Sequence, residues 1–185
     1  MRRFFLAALL LCACHRASDL PHLFPVPPET LTRETGQPMN LAENKGYVTV
    51  YDFIFTNCAG TCPVMSATMR NLTKKIDKDA PVRFVSISVD PERDTPRQLR
   101  DYAMHVRNDP RWIFLTGQPG QITRLSVDGF KLAIGGTPQT AAEPLLHSSK
   151  FAIADKDGII RAYEGGTDPE AVERVAERVG ELLGE

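Results

Sequence analysis

Residues 46–63 read GYVTVYDFIFTNCAGTCP and place two cysteines directly after a strongly hydrophobic run. Residues 46–55 are β-branched and aromatic and become apolar on both faces, which is the pattern of a central strand buried from both sides. Pro63 suits the first position of a following helix. Apolar residues recur behind it at helical spacing: Met65, Met69, Leu72 and Ile76. The stretch predicts a buried strand, a loop carrying Cys58 and Cys62, and a helix.

The rest of the chain continues the alternation of strands and helices. Further strands are predicted at residues 82–89, 111–116, 149–155 and 159–163, and the last two form a hairpin. Three further helices are predicted. The first follows an N-cap at Thr95 with Pro96 and Gln98, the second covers residues 121–127, and the third follows a capping box of Thr167 and Glu170.

The predicted order is β-α-β-α-β-α-β-β-α. Helices between successive strands imply parallel crossovers, whereas the closing hairpin adds an antiparallel edge. This order favours an α/β fold, a thioredoxin-like three-layer sandwich with a central mixed sheet and helices on both faces. In such a fold the loop after the first long strand is exposed, and Cys58 and Cys62 lie on it.

The composition excludes two classes of protein. The chain has 185 residues, of which 42% are hydrophobic and 24% charged, which suits one globular domain. A formal net charge of -1 and a pI near 6.4 give no basic field for nucleic acid, so no nucleic-acid partner is expected. A mean hydropathy of -0.22 excludes a polytopic membrane protein.

The N-terminus, MRRFFLAALLLCAC, has the shape of a secretory signal. Arg2 and Arg3 precede an apolar run at residues 4–13 that is too short to span a bilayer. Leu11 stands three residues before Cys14, which resembles the lipobox of bacterial lipoproteins, with Cys14 as the lipidated residue. A plain signal peptide with incidental cysteines is the alternative.

These features divide the chain into three parts. We expect a signal peptide with lipobox at 1–13, a proline-rich tether at 14–29 and the folded domain at 30–185. Of the four cysteines, one would leave with the signal and one would carry lipid. The pair at Cys58 and Cys62 would remain, outside the reducing cytosol and chemically reactive.

Cys58 and Cys62 are four residues apart, so one helical turn places both sulfurs on the same side. A helix N-terminus favours thiolate there, and a thiolate is either a nucleophile or a soft metal ligand. His147, just before the predicted hairpin, is the candidate third ligand, although a lone histidine at a strand entrance is more often a surface residue. Two thiolates and one imidazole suit Cu(I) and also accept Cu(II), whereas zinc normally needs a fourth ligand or a water.

Three motifs together resemble the Sco (SenC) family of thioredoxin-like copper proteins. They are FTNCAGTCP at 55–63, VSISVDPERDTP at 85–96 and HSSKFAIADKDG at 147–158, and the resemblance covers about residues 30–185. It implies a periplasmic or inner-mitochondrial copper chaperone for assembly of cytochrome c oxidase. Given also the lipobox-like N-terminus, we expect a protein that is lipid-anchored at the periplasmic face of a bacterial membrane. The implied partners are the copper-site subunit of the oxidase or another copper enzyme, and a thiol reductant.

The implied copper ligands are Cys58, Cys62 and His147. The family usually carries Pro-Asp and an apolar residue between the cysteines, where this chain has residues 59–61, AGT, and no acidic side chain. Asn57 stands where the family often has His or Tyr. These departures put affinity, redox potential and partner identity in question, since none of them is one of the three ligands.

Two other functions share this fold. A thiol–disulfide oxidoreductase that reduces the cysteines of a copper-site partner is the main alternative, but most such enzymes have CxxC and a facing cis-proline, where this chain has CxxxC and residues 147–149. A peroxidase is disfavoured because Thr56 stands two residues before Cys58 rather than three, and Asp52 replaces the usual proline. A chaperone needs no catalytic turnover, so enzyme activity is left open.

Overall fold

The structure is a computed structural model that describes residues 18–58, 60–132, 134–135 and 146–185, with the backbone alone described at 134–135 and 146–147. Its strands are β1 (Phe24–Pro25), β2 (Thr30–Arg33), β3 (Pro38–Asn40), β4 (Val48–Ile54), β5 (Val82–Ser88), β6 (Trp112–Thr116), β7 (Ile134–Gly135), β8 (Leu146–His147), β9 (Lys150–Ala154) and β10 (Ile159–Gly165). Its α-helices are α1 (Thr61–Lys75), α2 (Pro96–Val106), α3 (Pro119–Arg124) and α4 (Ala171–Leu183). A 3-10 turn lies at Leu41–Asn44 and a π turn at Leu125–Gly129.

The main sheet is mixed and has the order β1-β10-β9-β4-β5-β6-β2-β3 within the described residues. β4 pairs in parallel with β5, and β5 pairs in parallel with β6. β9 pairs antiparallel with both β4 and β10. Every residue of β4 is buried, as its apolar pattern predicts. The predicted α/β sandwich around a central mixed sheet is confirmed.

The helices follow the predicted patterns with shifts at their ends. The apolar stripe of α1 is buried in the core, but α1 begins two residues before Pro63. Thr95 caps α2, since its Oγ1 accepts a hydrogen bond from the backbone N–H of Gln98 at 3.3 Å. The capping box predicted for the last helix is wrong: α4 begins after Glu170, whose backbone N–H donates to Asp168 rather than to Thr167.

Three short strands precede β4 and were absent from the predicted order. β2 extends the sheet beside β6, and β1 pairs with β10 at the opposite edge. The backbone N–H of Leu23 donates to the carbonyl oxygen of Ile160 at 2.9 Å, and that of Val26 donates to Gly158 at 2.8 Å. The described part of the predicted tether, residues 18–29, therefore packs along the sheet edge. Strands of two to four residues are too short to show a period in the sequence.

Arg161 fastens this N-terminal segment to the C-terminus. Its guanidinium donates to the carbonyl oxygens of Leu20 at 2.7 Å and Pro21 at 3.1 Å. The same group forms ion pairs with Asp155 at 2.9 Å and Glu185 at 2.8 Å. A buried charge needs such partners to offset its lost hydration, so Arg161 holds both chain ends against β10.

The carboxyl group of Asp52 is buried at the centre of the sheet. The hydroxyl of Ser86 donates to its Oδ1 at 2.5 Å and itself accepts from Trp112 Nε1 at 2.9 Å. Among the described residues, Oδ2 has no hydrogen-bond partner. Burial raises the pKa of Asp52 to about 7, and the bond from Ser86 opposes this shift only in part.

We expect Asp52→Asn to change how stability depends on pH. The folded-state pKa lies above the ordinary value of 3.8, so ionising Asp52 costs stability as the pH rises from about 4 to 7. The amide side chain of the variant cannot ionise and escapes this cost. The free energy of unfolding of the variant, relative to wild type, should rise by on the order of 2–4 kcal/mol between pH 4 and pH 8.

Urea unfolding at both pH values measures this difference. Asp79→Asn, at a side chain that is 83% exposed, is the control and should show no comparable change. A difference between wild type and Asp52→Asn that stays constant with pH would contradict the prediction.

Candidate functional site

Cys58 and Cys62 lie together where β4 leads into α1. Cys62 is the second residue of α1 and only 1% exposed, whereas Cys58 is half-buried in the preceding loop. No disulfide joins them. The backbone N–H of Cys62 donates to Cys58 Sγ at 3.5 Å. An N–H group at the start of α1 is therefore directed at the sulfur of Cys58.

The two thiols differ in their surroundings. Burial raises the pKa of Cys62 well above its ordinary value, and the hydrogen bond with Cys58 raises it further. Cys62 is therefore a protonated thiol at neutral pH. Cys58, the more exposed sulfur, is the one that a thiol from solution can reach.

A buried carboxylate fastens the loop in front of Cys58. Asp94 Oδ1 accepts from the hydroxyl of Thr56 at 2.6 Å, and Asp94 Oδ2 accepts from the backbone N–H of Thr56 at 3.0 Å and from Ser88 Oγ at 2.6 Å. Burial raises the pKa of Asp94, and these three donors oppose the shift. Asp94 therefore joins the cysteine loop to the loop after β5.

Sequence reasoning assigns the charged residues of DPERDTP to capping and to a polar rim. Arg93 does pair with Asp90 at 3.3 Å, but the clamp from Asp94 to Thr56 was missed. Thr56 and Asp94 are 38 residues apart, and no periodic pattern connects them.

His147 is described by its backbone alone, at the end of β8 and opposite Ile134 of β7. The register of β9 against β4 pairs Thr49 with Ala154 and Tyr51 with Ala152. Since these strands are antiparallel, the residues just before β9 lie at the end of β4 that leads to Cys58. The backbone of His147 and the cysteine loop are therefore at the same end of the sheet, where β4 ends and β9 begins.

A hydrogen-bonded brace joins α1 to the segment after His147. Thr68 Oγ1 on α1 donates to the carbonyl oxygen of Gly166 at 2.9 Å, and the backbone N–H of Gly166 donates to the carbonyl oxygen of Ser149 at 2.8 Å. A Cβ at Gly166 would lie 2.8 Å from Phe151 Cε2 and 3.2 Å from the Ser149 oxygen. Glycine is required here because the chains approach so closely.

Other methionine and histidine side chains, whose atoms could also bind copper, have ordinary structural roles. Met65 and Met69 are fully buried in the core. His105 is exposed on α2, with Nδ1 2.7 Å from the carbonyl oxygen of Asp101. Among the described side chains no group of three or more His, Cys, Asp or Glu is placed to hold a metal ion.

A cleft of about 600 Å³ lies near the start of β5 and away from the cysteines. Two of its arginines are engaged by protein groups: Arg111 pairs with Asp109 at 2.8 Å, and Arg83 donates to the carbonyl oxygen of Glu43 at 2.7 Å. This cleft takes no part in the chemistry of the cysteines.

Comparison with known proteins identifies the family. A family model described as SCO1/SenC matches residues 26–183. The chain belongs to the SCO1/SenC family. It is 37% identical over 163 residues to the SCO1 protein homolog of Bacillus subtilis (strain 168), an alignment covering 85% of this chain and 83% of that protein.

Solved structures of the Sco family share the fold. BsSco, described as a member of the Sco family of cytochrome c oxidase assembly proteins with a disulfide switch, matches with a TM-score of 0.78 and 32% identity over 90% of this chain and 96% of its own. A SCO1/SenC family lipoprotein from Bacillus anthracis str. Ames matches with 0.76 and 30% over 86% and 95%. Bradyrhizobium japonicum ScoI with copper bound matches with 0.73 and 25% over 86% and 99%.

We expect Gly166→Ala to disturb the hydrogen-bonded brace that joins Thr68 of α1, Gly166 and Ser149 in this SCO1/SenC chain. The added methyl group forces Phe151 or Ser149 to move, which should lower the free energy of unfolding by about 1–3 kcal/mol. Amide hydrogen exchange in residues 148–151 should also become faster. Chemical denaturation and exchange measured by mass spectrometry test both effects.

Gly180→Ala on α4 is the matched control. A Cβ at Gly180 meets no atom within 4 Å, and alanine favours a helix, so stability should be unchanged or higher by up to about 1 kcal/mol. Equal effects of the two substitutions would show that the close approach at Gly166 is unimportant.

Proposed function

We propose that this chain is a copper metallochaperone that holds copper, Cu(I) or Cu(II), as cargo through Cys58, Cys62 and His147. The recipient is the copper-site subunit of cytochrome c oxidase or another copper enzyme. Membership of the SCO1/SenC family and similarity to copper-bound ScoI support this proposal. The description of BsSco as belonging to a family of oxidase assembly proteins supports the recipient.

The observation that carries the proposal is the placement of two thiols at one helix N-terminus, with Cys62 N–H 3.5 Å from Cys58 Sγ. Thiolates are the ligands that soft Cu(I) prefers, and an imidazole also suits copper. The side chains present therefore fit the metal by donor chemistry. The backbone of His147 lies at the same end of the sheet as the cysteine loop, which supports its role as third ligand.

The proposed cycle begins with a disulfide between Cys58 and Cys62. A thiol reductant opens it, because only the reduced pair can take up copper. The protein then binds copper, docks through its exposed cysteine loop and passes the metal on by ligand exchange. Copper is transferred rather than consumed, so this role needs no catalytic turnover.

We also propose that the protein is exported and held at the periplasmic face of a bacterial membrane by lipid on Cys14. The signal-like residues 1–13 support this, as does the similarity to a SCO1/SenC family lipoprotein. Cys14 and the signal lie outside the described residues. In the part of the chain that the structure describes, no helix has the length and apolar character needed to cross a bilayer.

Copper binding to His147→Ala tests the ligand set. The full-length chain with Cys12→Ser and Cys14→Ser keeps the candidate pair as its only cysteines. Reduced anaerobically, it should bind one copper per chain, and His147→Ala should lower the affinity by at least tenfold. Metal analysis and competition with a chromophoric chelator measure both quantities.

His105→Ala is the matched control, because His105 is exposed on α2, and it should bind copper as wild type does. Unchanged copper affinity in His147→Ala would remove His147 from the ligand set. If the chain with both histidines intact binds no copper, the chaperone function itself is contradicted.

Copper uptake should release protons and strengthen as the pH rises. The pKa of Cys62 lies well above neutrality because the thiol is buried, so copper must displace its proton. The logarithm of the apparent affinity should increase by about one or more per pH unit between pH 6 and 8. Cys62→Ser should lower both the affinity and this slope, and a pH-independent affinity in wild type would contradict the prediction.

The second candidate function is a thiol–disulfide oxidoreductase acting on the cysteines of a copper-site partner. The contrast between half-buried Cys58 and buried Cys62 supports it, since only one of the two sulfurs is readily accessible to a partner thiol. The disulfide switch described for BsSco is consistent with a redox-active pair. Weak copper binding together with rapid disulfide exchange would favour this function over the chaperone.

A further inference from the structure

A small cavity of about 170 Å³ opens beside Cys58 between α1 and α2. Since one water occupies about 30 Å³ in the liquid, this volume is roughly that of five waters and accepts one short side chain or a small organic molecule. The cavity therefore offers space for a group attached to a sulfur that reacts with Cys58.

The cavity wall is mostly neutral. The hydroxyls of Ser66 and Tyr102 lie 2.7 Å apart and satisfy each other. Burial raises the pKa of Tyr102 to about 12, so it is uncharged at neutral pH. Pro63, Ala67 and Val106 supply apolar surface.

Arg70 is the one charged residue among the described residues that line this cavity. Its side chain is exposed, and it makes no ion pair with any residue in the described part of the chain. Lys74 follows one helical turn later and adds a second positive charge to the same face of α1. A guanidinium pairs well with a carboxylate, so this side of the cavity favours an anionic group.

We propose that this cavity binds the thiol that exchanges with Cys58 and selects thiols that carry a carboxylate, which pairs with Arg70. The inference rests on the proposed redox activity of the cysteine pair and adds the chemical class of its reductant. The carboxylate can belong to a small thiol acid or to an acidic residue beside a cysteine in a partner protein.

The exchange has two balanced steps. The incoming thiolate attacks Cys58 Sγ of the disulfide, the bond between Cys58 and Cys62 breaks, and Cys62 leaves as a thiolate that takes a proton from solvent. A second thiolate then attacks the incoming sulfur of the mixed disulfide and releases Cys58 as a thiolate. Two thiols are oxidised to one disulfide, and the protein pair gains two electrons.

Reduction by two matched thiols tests the selection. The oxidised chain with Cys12→Ser and Cys14→Ser is mixed with 3-mercaptopropionate or with its neutral amide, 3-mercaptopropionamide, and rates are expressed per thiolate at low ionic strength. Wild type should react with the acid two- to fivefold faster than with the amide, as expected for one exposed ion pair. Arg70→Gln should bring the ratio close to one, and salt should do the same in wild type.

Arg124→Gln on α3 is the matched control, because it removes the same charge from an exposed site outside the cavity and should keep the wild-type ratio. Ala67→Leu narrows the cavity and should slow both thiols. The proposal is overturned if Arg70→Gln and Arg124→Gln lower the ratio equally, or if Ala67→Leu leaves both rates unchanged.

Cysteine peptides identify the source of the carboxylate. One peptide carries Asp beside Cys and its partner carries Asn. A larger effect of Arg70→Gln with this pair than with the small thiols favours a protein reductant, and the reverse favours a small thiol acid. Loss of charge preference with normal disulfide reduction would refute only this inference, whereas failure to form or reduce the disulfide would refute the redox step of the proposed function.

Discussion

The pairing of β4 with β5 on one side and β9 on the other places the candidate site at one end of the sheet. β4 and β5 are parallel and in register up to Ile54 and Ser88, so the loops that follow both strands leave the sheet at the same edge. β9 is antiparallel and begins at that edge. The cysteine loop, the loop with Asp94 and the backbone of the segment containing His147 therefore lie at this end of the sheet.

Hydrogen bonds between these loops then set the properties of the cysteines. Asp94 holds Thr56 through both its side chain and its backbone, which fixes the loop two residues before Cys58. Burial keeps Cys62 protonated, while Cys58 remains accessible beside a cavity with a cationic rim. One sulfur is thus accessible to a partner, while the other is shielded and must lose its proton before it binds metal.

The predictions that the structure confirms depend on local patterns. The apolar run of β4 and the helical spacing of Met65, Met69 and Leu72 mark buried faces. Both patterns repeat within a few residues, so the sequence shows them directly. The failures have local causes as well. β1 to β3 are too short to show a period, and the start of α4 depends on Asp168, which Arg174 holds at 2.6 Å.

By itself, the sequence determined the order of the longer strands and helices, the family and the position of Cys58 and Cys62 where a buried strand leads into a helix, because these follow from short-range periodicity and motifs. Only the tertiary structure decided the unequal burial of the two thiols, the clamp at Asp94, the brace through Gly166 and the cavity beside Arg70. Each joins groups from segments far apart in the chain, as Thr56 and Asp94 are, and no local pattern encodes such contacts.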